Sequence, residues 1–171
     1  MQKILDGDGA RDYGSSMETT HTPPRAFPAI VVGGLIAGVL DMTYAMIVYS
    51  PKAPLLIPQG IAAGLLGVNH QLGGPTGTII IGFLCHFAIA LGSATVFYLA
   101  SRQWSYLTEH PVISGAIFGA CVYLFMHFVV IPLSALPPSH HWNWKRQVPE
   151  LLWHLIGVGQ PIAWSVRRYS R

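Results

Sequence analysis

Apolar positions along the chain fall into four long runs and one short one, with polar residues confined mainly to the gaps. The first run extends from Phe27 to Tyr49, long enough as a helix to cross about 30 Å of hydrocarbon. A shorter stretch, Pro54 to Val68, contains Pro58 and Gly60 and is too short for a comfortable crossing. It predicts a re-entrant or interfacial helix. Gly73, Gly74 and Pro75 break the chain, and further spans are expected from Thr76 to Ala100, Pro111 to Ile131 and Pro149 to Val166. The pattern thus predicts an all-α integral membrane bundle of four transmembrane helices plus one short helix. It forms a single domain over residues 27–168, preceded by a polar, mobile tail over residues 1–26. That tail contains no apolar segment behind a charged start, so it does not read as a cleavable signal peptide.

Composition supports the membrane reading. Of 171 residues, 51% are hydrophobic and only 10% charged, against about a quarter charged in ordinary soluble domains. No Lys, Arg, Asp or Glu lies between Lys52 and Arg102, between Glu109 and Lys145, or between Glu150 and Arg167. A soluble domain and intrinsic disorder are both excluded by this distribution. The net charge of +3 comes from basic residues flanking apolar spans, where cytoplasmic retention and anionic lipid account for them. Four crossings put Lys3, Arg11, Arg25, Arg102, Arg167, Arg168 and Arg171 on one side and only Lys52, Lys145 and Arg146 on the other. The positive-inside rule then places both termini in the cytoplasm. Trp104, Tyr106, Trp142, Trp144, Trp164 and Tyr169 fall where interfacial belts belong. Lipid is the expected partner and nucleic acid is not; a homo-oligomer or a membrane-protein partner is admitted beside it.

Within the spans, small residues recur at four-residue spacing: Gly34 and Gly38, Gly60 and Gly64, Gly115 and Gly119. Such faces let helix backbones approach closely in lipid. No fixed-period repeat or inverted symmetry suggests a repeat-built transporter. Cys85 and Cys121 both lie in apolar windows and read as small packing residues, without a CxxC motif.

The ionisable residues inside the spans are the candidates for chemistry. Asp41 continues the Gly34 and Gly38 stripe, His86 shares a face with Gly82 and Ser93, His127 follows Gly119 and Tyr123, and His154 lies one turn after Glu150. At about 1.5 Å per residue, Asp41 and His86 sit roughly 3–4 Å to the outer side of the midplane, and His127 and His154 roughly 7–8 Å. Glu150, Gln59 and His70 could join from the outer mouth. Three roles compete. The groups could hydrogen-bond across helices and only lock the bundle. They could form a proton-responsive or ion-conducting site, since histidine titrates near pH 6.5 and outward-facing groups would sense external acid. Or His86, His127 and His154 could bind a metal or haem in a redox role, although no local motif such as HExxH supports it. His140 and His141 could catch a metal weakly, but sit in an aromatic stretch better suited to anchoring. No nucleophile elbow, phosphate loop or dinucleotide fingerprint is present, so an enzyme is not expected.

From the second span onward the chain resembles the YagU-like family of bacterial inner-membrane proteins. The resemblance is carried by LFMHFVVIPLSALPP from Leu124 to Pro138, by Cys85-His86-Phe87, and by Glu150 to Leu155 with Arg167 and Arg168 behind. It covers roughly the last hundred residues and contains no catalytic signature. It implies an inner-membrane protein linked to acid resistance, with His86, His127, Glu150 and His154 at corresponding positions. Asp41 lies outside the matching part. This favours the proton-responsive reading over the metal one, by analogy at family level.

Overall fold

The computed structural model describes residues 25–68, 73–137 and 143–169. Residues 1–24 of the expected tail, and His70, His140, His141 and Trp142, lie outside them. The described residues form helices and turns without a strand. Helix α1 spans Ala26–Tyr49, α2 Leu56–Leu66, α3 Gly74–Gln103 and the short α4 Tyr106–Glu109. A continuous helical stretch follows: α5 Pro111–Phe125, a π-helical turn Met126–Val130, and α6 Ile131–Leu133. The last stretch is α7 Trp144–Trp153, a second π-helical turn His154–Gly159, and α8 Gln160–Tyr169.

Three helices are long and apolar enough to cross a membrane: Ala26–Tyr49, Gly74–Gln103 and Pro111–Leu133. At 24, 30 and 23 residues they measure about 36, 45 and 35 Å, against roughly 30 Å of hydrocarbon. Their outward residues, among them Leu35, Val39, Ile47, Leu84 and Ile117, are exposed and apolar, as lipid-facing positions are. The expected fourth span does not meet the same standard. Residues 144–169 are helical throughout, but Glu150, His154, Gln160 and two prolines dilute their apolar character. Tertiary packing compensates for this polarity. His154, Gly157, Val158, Gly159, Ile162, Ala163 and Val166 are buried, so the most polar helix lies among the apolar ones.

Close approach depends on glycine at several crossings. A Cβ on Gly33 would meet Ser165 and Ile162 of α8, whereas one on the adjacent Gly34 would meet Leu91 and Ala90 of α3. Helix α1 is thereby wedged between the two. A Cβ on Gly119 would overlap the His154 carbonyl, and one on Gly159 the Gly115 carbonyl oxygen. A Cβ on Gly82 would overlap the backbone of Pro58, which places α2 directly on α3. Gly60 departs from the small-residue expectation: nothing lies within 4 Å of its Cβ position, and Gly64 has only ordinary contacts. The backbone of α2 is instead tied to the chain after α6 by the Ala135 amide, which donates to the Gly64 carbonyl at 2.8 Å.

The bundle is closed at one end. Ala29, Ala37, Ala94, Phe97, Tyr98, Val158, Ile162, Ala163 and Val166 form its buried core, with the Phe97 and Phe118 rings edge to face at 5.0 Å. The Ser165 hydroxyl donates to the Ala29 carbonyl at 2.8 Å, and the Arg25 amide to the Tyr169 carbonyl at 3.1 Å. Arg102, Arg167 and Arg168 belong to this end, where the Arg167 guanidinium donates to the Glu109 carbonyl. The opposite half, toward Tyr49, Leu133 and Trp144, is packed less fully.

Candidate functional site

Where the core stops, a cavity of about 170 Å³ begins, with Ala37 and Val158 shared between the two. A single water needs only about 10–15 Å³ measured this way, so the space is large for a packing defect. Asp41 of α1, His86 of α3, His127 of the first π-helical turn, Glu150 of α7 and His154 of the second all line it. Five of the six expected site residues therefore reach one space from four separate helical stretches. Gln59 does not. Its amide donates to the Pro75 carbonyl at 3.4 Å, bracing α2 against the start of α3.

Both histidines nearest the fourth stretch owe their position to local helix widening. His127 lies in the π-helical turn Met126–Val130, and His154 opens the turn His154–Gly159. Each turn ends two residues before a proline, Pro132 or Pro161. Proline has no N–H and its ring collides with the carbonyl one turn earlier, and a widened turn relieves that collision without ending the helix. Gly157 and Gly159 make the second turn slender enough to pack. The Trp153 ring covers Gly157, and Gly159 lies against Gly115.

Hydrogen bonds fix two of the imidazoles. His86 Nε2 meets the Gly38 carbonyl at 2.9 Å, across the α1–α3 contact. His154 Nδ1 meets the carbonyl of Glu150, also at 2.9 Å, one turn back in its own helix. The Tyr123 ring stands between two of the histidines, 4.4 Å from His127 and 5.5 Å from His154 between centroids. Its hydroxyl donates to Gln147 Oε1, which ties α5 to α7.

An aromatic cluster stands beside this cavity. Tyr44 stacks on Trp153 at 4.6 Å and meets Tyr49 edge to face at 5.9 Å. Tyr44 and Tyr49 also line a second, shallower depression with Val48, Lys145, Arg146 and Pro149. There the Arg146 guanidinium lies 4.6 Å above the Tyr49 ring, a cation–π contact. The buried Tyr49 hydroxyl is close to the Glu150 carboxylate and the Tyr44 hydroxyl but meets hydrogen-bond geometry with neither.

Sequence reasoning passed over Tyr44, Tyr49 and Trp153. Their signal was a pair of tyrosines in the last turns of a span and a tryptophan beside a span histidine, which also reads as an interfacial belt. For the metal alternative, the geometry is plain. Among the described residues no three His, Cys, Asp or Glu side chains converge as ion ligands, so His86, His127 and His154 share a cavity without forming a joint coordination site. No family model, curated protein or solved structure matches the chain.

Proposed function

We propose that this is a polytopic protein of the bacterial inner membrane that handles protons or small cations through the cavity, in support of pH homeostasis. The observation that carries this reading is the convergence of Asp41, Glu150, His86, His127 and His154 on one space between long apolar helices. Ionisable groups in hydrocarbon are costly unless they are paired or line a wet cavity, and such groups in membrane helices mark ion and proton paths. Histidine adds groups whose charge changes between pH 5 and 8. Residues 144–169 act in this reading as a fourth crossing helix, packed on one face against the other three and exposing Leu152, Ile156 and Trp164 on the other, with α2 packed on α3 as a re-entrant element. Arg25, Arg102, Arg167 and Arg168 at the closed end support a cytoplasmic position for that end and both termini, with the cavity half toward the outside. The resemblance to the YagU-like family supports a role in acid resistance.

The test is proton flux into liposomes that carry purified protein and a trapped pH-sensitive dye. An imposed potential should drive dye acidification well above empty liposomes, and Asp41→Asn should abolish most of it in protein that still inserts. Wild-type flux equal to that of empty liposomes at both neutral and acidic external pH would overturn the reading.

A further inference from the structure

The hydrogen-bonding polarity of the cavity is one-sided, and it narrows what the cavity can hold, given that it is the functional site. Asp41 and Glu150 bring carboxylate oxygens, which are acceptors. A backbone carbonyl also only accepts, so His86 Nε2 and His154 Nδ1, bonded to the Gly38 and Glu150 carbonyls, must carry their ring protons. His154 is itself only 7% exposed. Among the described residues no Lys or Arg lines the cavity, while Lys145 and Arg146 line the second depression with Tyr44 and Tyr49. An occupant complementary to these walls carries positive charge and several N–H donors.

Size and surface define the rest of that occupant. The remaining lining is chiefly aliphatic and aromatic, with Met42, Ile57, Ile61 and Ile89 beside the faces of Tyr44 and Tyr49. A cavity of about 150 Å³ accommodates a benzene-sized molecule, and this one measures about 170 Å³. A bare ion would leave most of it unfilled and would find no converging trio of ligands among the described residues. We infer that the cavity binds a small protonated primary amine, its charge held by the Asp41 and Glu150 carboxylates and its apolar body packed on Ile57, Ile61 and Ile89.

The test is calorimetric titration of the full-length protein in lipid nanodiscs with benzylammonium and its neutral isostere, benzyl alcohol. Benzylammonium should bind saturably, and benzyl alcohol at least about tenfold more weakly, as loss of a charged hydrogen bond requires. Asp41→Asn and Glu150→Gln should each weaken benzylammonium by a similar factor in protein with wild-type thermal stability. Equal affinity for the two ligands on wild-type protein overturns the inference even where a variant fails to fold. Absence of saturable binding, or well-folded carboxamide variants that bind as wild type does, overturns it too. Proton flux without amine binding would remove this inference alone. Amine binding without flux would remove the proton reading and leave the site.

Discussion

The contact between α5 and the last helical stretch sets the width of the cavity, and a single methyl group tests it. A Cβ on Gly159 would overlap the Gly115 carbonyl oxygen and lie 2.8 Å from its carbon and 2.9 Å from the Gly119 nitrogen. All three are backbone atoms, so no side-chain rotation relieves the overlap and the two helices must separate. Overpacking of this kind costs about 1–3 kcal/mol. The helix gains back about 0.5–1 kcal/mol because alanine loses less conformational entropy than glycine. The net loss for Gly159→Ala is about 1–2 kcal/mol, or about 2–8 °C of Tm for a chain of this size. Gly92→Ala is the matched control, since nothing lies within 4 Å of its Cβ position on α3 and only the helical gain remains. Thermal unfolding of both variants in the same detergent, followed by circular dichroism, gives the comparison. Gly159→Ala should melt below wild type and Gly92→Ala at or above it. Two shifts of the same sign and size would refute the claim that backbone contact, rather than glycine's intrinsic helix penalty, governs this crossing.

Other changes probe separate parts of the structure. Phe97→Ala removes a ring that is 1% exposed and should cost about 3–5 kcal/mol, seen as a collapse of Tm or loss of folded protein; a small shift would show that the core half repacks freely. Ser165→Ala leaves the Ala29 carbonyl without its cross-helix donor and should cost about 1 kcal/mol in the same melt, whereas an unchanged Tm would show that this bond adds nothing. In a background without Cys85 and Cys121, a membrane-impermeant maleimide on intact cells should label Lys52→Cys but not Arg102→Cys; the reverse pattern would invert the proposed orientation. Pro161→Ala removes the residue held responsible for the second π-helical turn and should impair proton flux and lower Tm, because His154 then turns away by up to about 100° and its backbone contact with Gly119 is lost. Unaltered flux, with unaltered His154 resonances, would show that proline does not set the turn.

The membrane-span pattern was legible because it is a local property of composition. Uncharged runs longer than the hydrocarbon thickness predict α1, α3 and Pro111–Leu133 without tertiary information. The fourth stretch was legible as a helix but overrated as an apolar one: Glu150, His154 and Gln160 lie where a lipid-facing helix could not hold them. Most of the candidate residues were also visible, because Asp41 and the histidines are conspicuous in such a setting. Gln59 was misplaced, since a face assigned by periodicity does not say whether that face meets a cavity or the neighbouring Pro75 carbonyl. The prolines at 132 and 161 were visible too, but whether a proline kinks, ends or widens a helix depends on what its neighbours allow.

By itself, then, the sequence determined which segments are helical and apolar, which ionisable groups lie within them, and which ends carry arginine. These follow from residue type and spacing along one chain. Tertiary structure decided which helix lies inside, because burial is a relation between helices and can shelter the least apolar of them. It also decided that one half closes on Phe97, Ile162 and Val166 while the other leaves room between Asp41, Glu150 and three histidines. Backbone contacts at Gly115, Gly119 and Gly159 bring the helices together on one side of that boundary. On the other, the stacked Tyr44 and Trp153 rings stand between α1 and α7.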